Sequence, residues 1–147
     1  MDDEIRVPIA SDTDMVPARA HGRSLAAKLG FSRTDATLIA TAISEIARNI
    51  VVHVGEGELV LRPLYEDHRY GIVVVARDSG PGIRDVEAAL ERGYASREGL
   101  GLGLPGARRL MDEFHIASEP GKGTTVTMKK WRVRDELERL RERRRRG

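Results

Sequence analysis

The chain contains no cysteine, which excludes a disulfide framework, a thiolate-held metal and a thiol nucleophile. Long apolar runs are missing as well: the longest, residues 72–76, falls far short of the ~20 residues that a membrane-spanning helix needs. The opening Met1-Asp2-Asp3-Glu4 carries acid where a secretory leader carries base. A soluble protein of the cytosol, with no membrane partner, is the expectation. His21, His53, His68 and His115 lack the spacing of a metal site.

Charge is abundant and unevenly placed. With 147 residues, 40% apolar and 33% charged, the composition fits one compact domain with a single core. Residues 129–147 hold ten of the 25 Lys/Arg and four of the 23 Asp/Glu, leaving fifteen bases against nineteen acids in the rest. An acidic body beneath a basic tail argues against a nucleic-acid partner, because phosphate contacts need a basic face on the fold itself. The expected division is a domain over residues 1–131 and a tail over 132–147, helical or disordered.

Ile5, Val7 and Ile9 alternate with other residues and lead into Asp12, Thr13 and Asp14, which predicts a strand followed by a capped helix to about residue 29. Gly30 ends it. Ser32-Arg33-Thr34-Asp35 has capping-box spacing, and Ala36, Ile39, Ala40, Ile43, Ala47, Ile50, Val51 and Val54 then recur at helical period. Two β-rich runs, 58–64 and 70–76, predict a hairpin joined by Glu66-Asp67-His68-Arg69. A short helix over residues 85–92, a glycine-punctuated loop over 93–103, a helix from 104 to about 113 and strands over 114–118 and 124–130 complete the pattern. This order predicts an α/β sandwich, one mixed sheet with its helices on a single face.

Several residues carry chemistry. Glu45 and Asn49 lie four apart on the long helix, in one stripe with Thr41 and His53. Asn offers a neutral oxygen suited to Mg²⁺, and Glu can accept a hydroxyl proton; the same spacing also describes an ordinary solvated pair. Asp78, where a β-run meets Gly80-Pro81-Gly82, sets a carboxylate at the sheet rim able to accept from an adenine amino group, or simply to cap its own turn. Gly99-Leu100-Gly101-Leu102-Gly103 precedes a helix, so its amides could approach phosphate at a positive helix end. It is neither a Walker A loop nor G-x-G-x-x-G, and a flexible loop has the same composition. Gly121-Lys122-Gly123 followed by Thr124 reads as a hairpin turn whose threonine could face the rim that holds Asp78.

Together and in order, these segments resemble the GHKL ATPase family. The segment from Thr41 to Asn49 is similar to its N-box, the segment from Asp78 to Ile83 to its G1 box, and Gly99 to Leu104 to its G2 box. The stretches Gly99 to Gly106, Arg109 to Phe114 and Gly121 to Thr125 resemble the switch kinases of bacterial partner-switching modules, the stressosome type. The resemblance implies the Bergerat fold, a two-layer α/β sandwich with a mixed, mostly antiparallel sheet. It further implies Mg-ATP as phosphate donor, a Ser or Thr on STAS-domain partners of the scaffold and antagonist type as acceptor, and a PP2C-type phosphatase that the released kinase activates. By the same likeness Glu45 is the general base, Asn49 the Mg²⁺ ligand, Asp78 the adenine acceptor, and Gly80 and Gly82 belong to the adenine loop. Gly99, Leu100, Gly101, Leu102 and Gly103 form the phosphate lid, and Thr124 follows the last glycine segment. Rival readings are an anti-sigma factor kinase that sequesters a sigma subunit, a detached histidine-kinase catalytic domain, and a nucleotide-gated binder that transfers no phosphate.

Overall fold

The structure is a computed structural model that describes residues 4–83, 86, 103–133 and 143–144. Strand β1 (Ile5–Ile9) leads through a 3₁₀ turn into helix α1 (Met15–Lys28), then α2 (Arg33–His53), β2 (Gly57–Glu66), β3 (Arg69–Asp78), α3 (Gly103–Leu110), β4 (Glu113–Ser118) and β5 (Thr124–Trp131). The strands form one sheet in the order β1-β2-β3-β5-β4. Each pairing among the described residues is antiparallel.

The expected helix starts form for the expected reasons. The Asp14 carboxylate accepts from the Ala10 and Ser11 amides at 2.8 and 3.1 Å, and the Ser32 hydroxyl accepts from the Asp35 amide at 3.1 Å, each satisfying backbone donors that a helix start leaves open. Along α2 the predicted stripe is buried from Ala36 to Ile50, widened by Ala42 and Ile46. Alternate residues of the sheet meet it: Val7, Ile9, Leu59, Leu61, Ile72, Val74, Ala76, Val126 and Met128 share one core with α1, α2 and α3. Each large side chain removed from water there contributes about 1.5–3 kcal/mol. The helices therefore cover one face of the sheet, as a two-layer α/β sandwich requires. At Gly22 a Cβ would collide with the Ile43 side chain, so α1 lies close against α2.

Two expectations need correction. The hairpin strands run further than predicted and leave only Asp67 and His68 in the turn, with φ of 51° and 62°, the sign that a two-residue I′ turn demands. Helix α3 stops at Leu110 rather than near residue 113, because strand β5 claims the residues after it. Lys130 Nζ donates to the Leu110 carbonyl at 3.0 Å, and the Asp112 amide donates to the Lys129 carbonyl at 2.9 Å. The Asp112 and Glu113 carboxylates accept from the Trp131 amide and indole N–H, both at 2.7 Å. The helix predicted over 85–92 and the loop over 93–102 lie outside the described residues, Val86 excepted, as does the tail apart from residues 132–133 and 143–144.

Candidate functional site

Helix α2 supplies one wall. Thr41, Glu45 and Asn49 are half-buried and border the fully buried Ile43, Ile46 and Ile50, so the polar stripe runs along the margin of the core face. The Thr41 hydroxyl is spent on the Thr37 carbonyl at 2.9 Å. Among the described residues no hydrogen bond engages the side chains of Glu45 or Asn49. One turn further on, desolvation lowers the pKa of His53 below its ordinary value.

The rim of the sheet supplies the second wall. Asp78 is the last residue of β3 and is paired with Thr124, the first of β5. The Gly80 amide donates to Asp78 Oδ1 at 2.9 Å, which fixes the carboxylate against its own loop. A Cβ at Gly80 would lie 2.8 Å from both γ-carbons of Val54, so this loop presses on the end of α2, a little over one turn beyond Asn49. Val54, Gly57, Asp78 and Gly80 line an open groove of about 660 Å³.

The loop after Asp78 is knitted to the β4–β5 turn. The Gly121 amide donates to the Pro81 carbonyl at 2.7 Å, and the Ile83 amide donates to the Ser118 hydroxyl at 2.7 Å. Gly82 and Gly123 have φ of 79° and 80°, and a Cβ on either would strike the backbone of the other segment, Glu119 O and Asp78 O respectively. Two turns that read separately in the sequence are one interlocked body, closed by glycine because no side chain fits between the chains.

Of the residues singled out from the sequence, Asp78, Gly80, Gly82 and Thr124 come together at the rim, and Glu45 and Asn49 share the α2 stripe. Gly103 opens α3, whose Leu104, Pro105, Gly106 and Ala107 are buried and which packs on α2. Pro105 suits the first turn, where its missing N–H would have no intrahelical partner. Gly99, Leu100, Gly101 and Leu102 lie outside the described residues. Sequence reasoning missed Ser118. Phe114, Ile116 and Ser118 alternate on the helix-facing side of β4, paired with Met128, Val126 and Thr124, and a serine ending such an apolar series was the available signal.

A two-layer sandwich with a carboxylate at the rim and a carboxylate–carboxamide stripe on the facing helix defines the ATP-binding class that the motif order suggests. Residues 9–130 match the histidine kinase-like ATPase domain, and the chain belongs to that family. Over 131 residues, covering 89% of this chain and 98% of the relative, it is 43% identical to the serine/threonine-protein kinase RsbT of Bacillus subtilis (strain 168). It is also 35% identical over 120 residues to the anti-sigma F factor of Caldanaerobacter subterraneus subsp. tengcongensis, covering 78% of this chain and 82% of that protein. The anti-sigma F factor of Thermoanaerobacter sp. (strain X514) is 32% identical with the same coverage.

Proposed function

We propose that this chain is an ATP-dependent serine/threonine protein kinase of a bacterial partner-switching module, of the stressosome type. The observation that carries the reading is the 43% identity to a serine/threonine kinase of nearly the same length, joined to a rim and helix stripe that suit Mg-ATP. In this reading the acceptor is a Ser or Thr on a STAS-domain protein, and the released kinase activates a PP2C-type phosphatase in the cytosol. The kinase domain spans residues 1–131.

The residues fit the nucleotide. Asp78 keeps Oδ2 clear of the Gly80 amide held by Oδ1, leaving an acceptor for the 6-amino group of adenine. Asn49 would hold Mg²⁺ through its side-chain oxygen, and the metal would supply charge neutralisation at the phosphates. Mg²⁺ keeps much of its shell as water and phosphate oxygens, so a single side-chain oxygen suits such an ion. Gly99, Leu100, Gly101, Leu102 and Gly103 would close on the phosphates. Glu45 takes the proton of the acceptor hydroxyl as its oxygen bonds to the γ-phosphorus and the bond to the ADP oxygen breaks.

The test is single-turnover phosphorylation of a STAS partner by Glu45→Ala beside calorimetric ATP binding. Transfer should fall by about 10²–10⁴-fold, with ATP affinity changed by well under about tenfold. Unchanged transfer removes Glu45 as the base, and parallel loss of ATP binding reassigns it to the nucleotide pocket. The identity to anti-sigma F factors favours one second reading, a kinase that also sequesters a sigma subunit. Pull-downs against a STAS protein and a sigma factor separate the two.

A further inference from the structure

We infer that Ser118 is a positioning residue that fixes the hydroxyl proton of Thr124, so that Thr124 can only accept hydrogen bonds and the rim selects a purine with an amino group at position 6. The inference rests on the nucleotide reading above and extends it to a residue to which that reading gives no role.

The geometry settles the protons. Ser118 Oγ has three partners: the Ile83 amide at 2.7 Å, the Gly123 carbonyl at 3.2 Å and Thr124 Oγ1 at 2.8 Å. A hydroxyl has one proton and two lone pairs. The amide can only donate, which occupies one lone pair of Ser118. The carbonyl can only accept, which takes the Ser118 proton. The contact with Thr124 must then use the second lone pair of Ser118, so the Thr124 proton points at Ser118 and away from any ligand. Reversing that contact would strip the Gly123 carbonyl of this partner, inside an interlock where an unmade bond costs most.

Thr124 is the one buried polar side chain among the described residues, 8% exposed. It stands opposite Asp78 in the strand pairing, and its remaining lone pairs join the Asp78 carboxylate as a second acceptor. Two fixed acceptors side by side are satisfied by an N–H₂ group. A 6-oxo purine would set a third acceptor against them, and specificity of this kind comes from leaving buried groups unpaired. In this arrangement Asp78 supplies the charge, Thr124 the second acceptor, and Ser118 the direction.

The experiment measures binding of ATP and of inosine triphosphate, which carries oxygen in place of the 6-amino group, to the full chain by calorimetry. The wild type should prefer ATP strongly. In Ser118→Ala the Thr124 hydroxyl is free to turn and donate, so the ATP preference should fall by about tenfold, through better relative binding of the 6-oxo nucleotide. Ser118→Thr keeps the hydroxyl and should restore the preference. A residue that merely braced the loop would weaken both nucleotides by one factor, and an unchanged ratio in Ser118→Ala overturns the inference. Thr124→Val, which leaves Ser118 and its bonds to the loop in place, gives an independent check should Ser118→Ala fail to fold. It should lower the same ratio, and an unaltered ratio there overturns the inference equally. Absence of ATP binding by the wild-type chain would instead overturn the nucleotide reading on which the inference stands.

Discussion

The two ends of β3 are built on opposite principles. At its start the chain reverses through Asp67 and His68, two non-glycine residues at positive φ, beside Tyr65 and Tyr70, which are 58% and 47% exposed with ring centroids 4.7 Å apart. At its end, Asp78 enters a loop locked to the β4–β5 turn, where Gly82 of the loop and Gly123 of the turn each approach the other segment's backbone so closely that a methyl group cannot enter. The strain at the start belongs to two local torsions. The constraint at the end is shared by two loops some forty residues apart in sequence. A sheet can thus hold one hairpin end open to substitution while the same strand delivers a site residue into a fixed frame.

Substitutions at the two ends should therefore differ in size and in kind. The largest effect is expected for Gly123→Ala, which adds both a strained torsion and a collision with Asp78. It should lower unfolding free energy by about 3 kcal/mol or more and abolish ATP binding, as denaturant melts and calorimetry would measure; an unchanged midpoint would erase the contrast. Next comes Asp78→Asn, which keeps the interlock but replaces a charge-assisted acceptor with a weaker one, and ATP affinity should fall by about 10–100-fold with the melt unchanged. Wild-type affinity would remove Asp78 from the proposed adenine pocket.

At the other end the effects should be smaller and confined to stability. Tyr65→Ala dissolves the ring pair and should cost about 0.5–1.5 kcal/mol with no change in ATP affinity. Asp67→Gly relieves a left-handed torsion and should raise stability by about 0.5 kcal/mol. Any shift in nucleotide binding from either variant would show that the ends communicate. The smallest effect concerns His53, whose folded pKa is depressed by desolvation. The unfolded chain then binds a proton more readily, so stability is full above the ordinary value of 6.5 and declines as pH falls below it. His53→Gln should flatten that slope in melts taken between about pH 5 and 7.

The sequence carries local signals well and remote ones poorly. Helix α2 was legible to within a residue or two because its cap, Ser32, and its apolar period are written in consecutive residues. The hairpin was legible from the polar run Glu66 to Arg69 that joins its strands, but the tight two-residue form of the turn at Asp67 and His68 was not, since neither residue is the glycine that such a loop usually announces. The end of α3 was hidden for a different reason: nothing in the residues around Asp112 and Glu113 stops a helix, and it is their bonds to Lys129 and Trp131, seventeen or more residues away, that pull them out. The rim obeyed the same rule. Asp78 and Thr124 could be proposed from their neighbours, whereas Ser118 acquires its meaning from Ile83, thirty-five residues earlier.

The pairing of β3 with β5 runs unbroken from Gly71 opposite Trp131 to Asp78 opposite Thr124, and it works as a reading frame. Side chains alternate between faces with a period of two, so one residue inserted into β5 would turn every position beyond it over. Thr124 would then look out from the face of the sheet opposite the helices, while Asp78, on the neighbouring strand, stayed where it is. The chemistry at the rim is phased from the opposite end of the strand by counting. In this part of the fold a substitution acts at its own position, whereas a single-residue insertion or deletion anywhere along those eight pairs breaks the message.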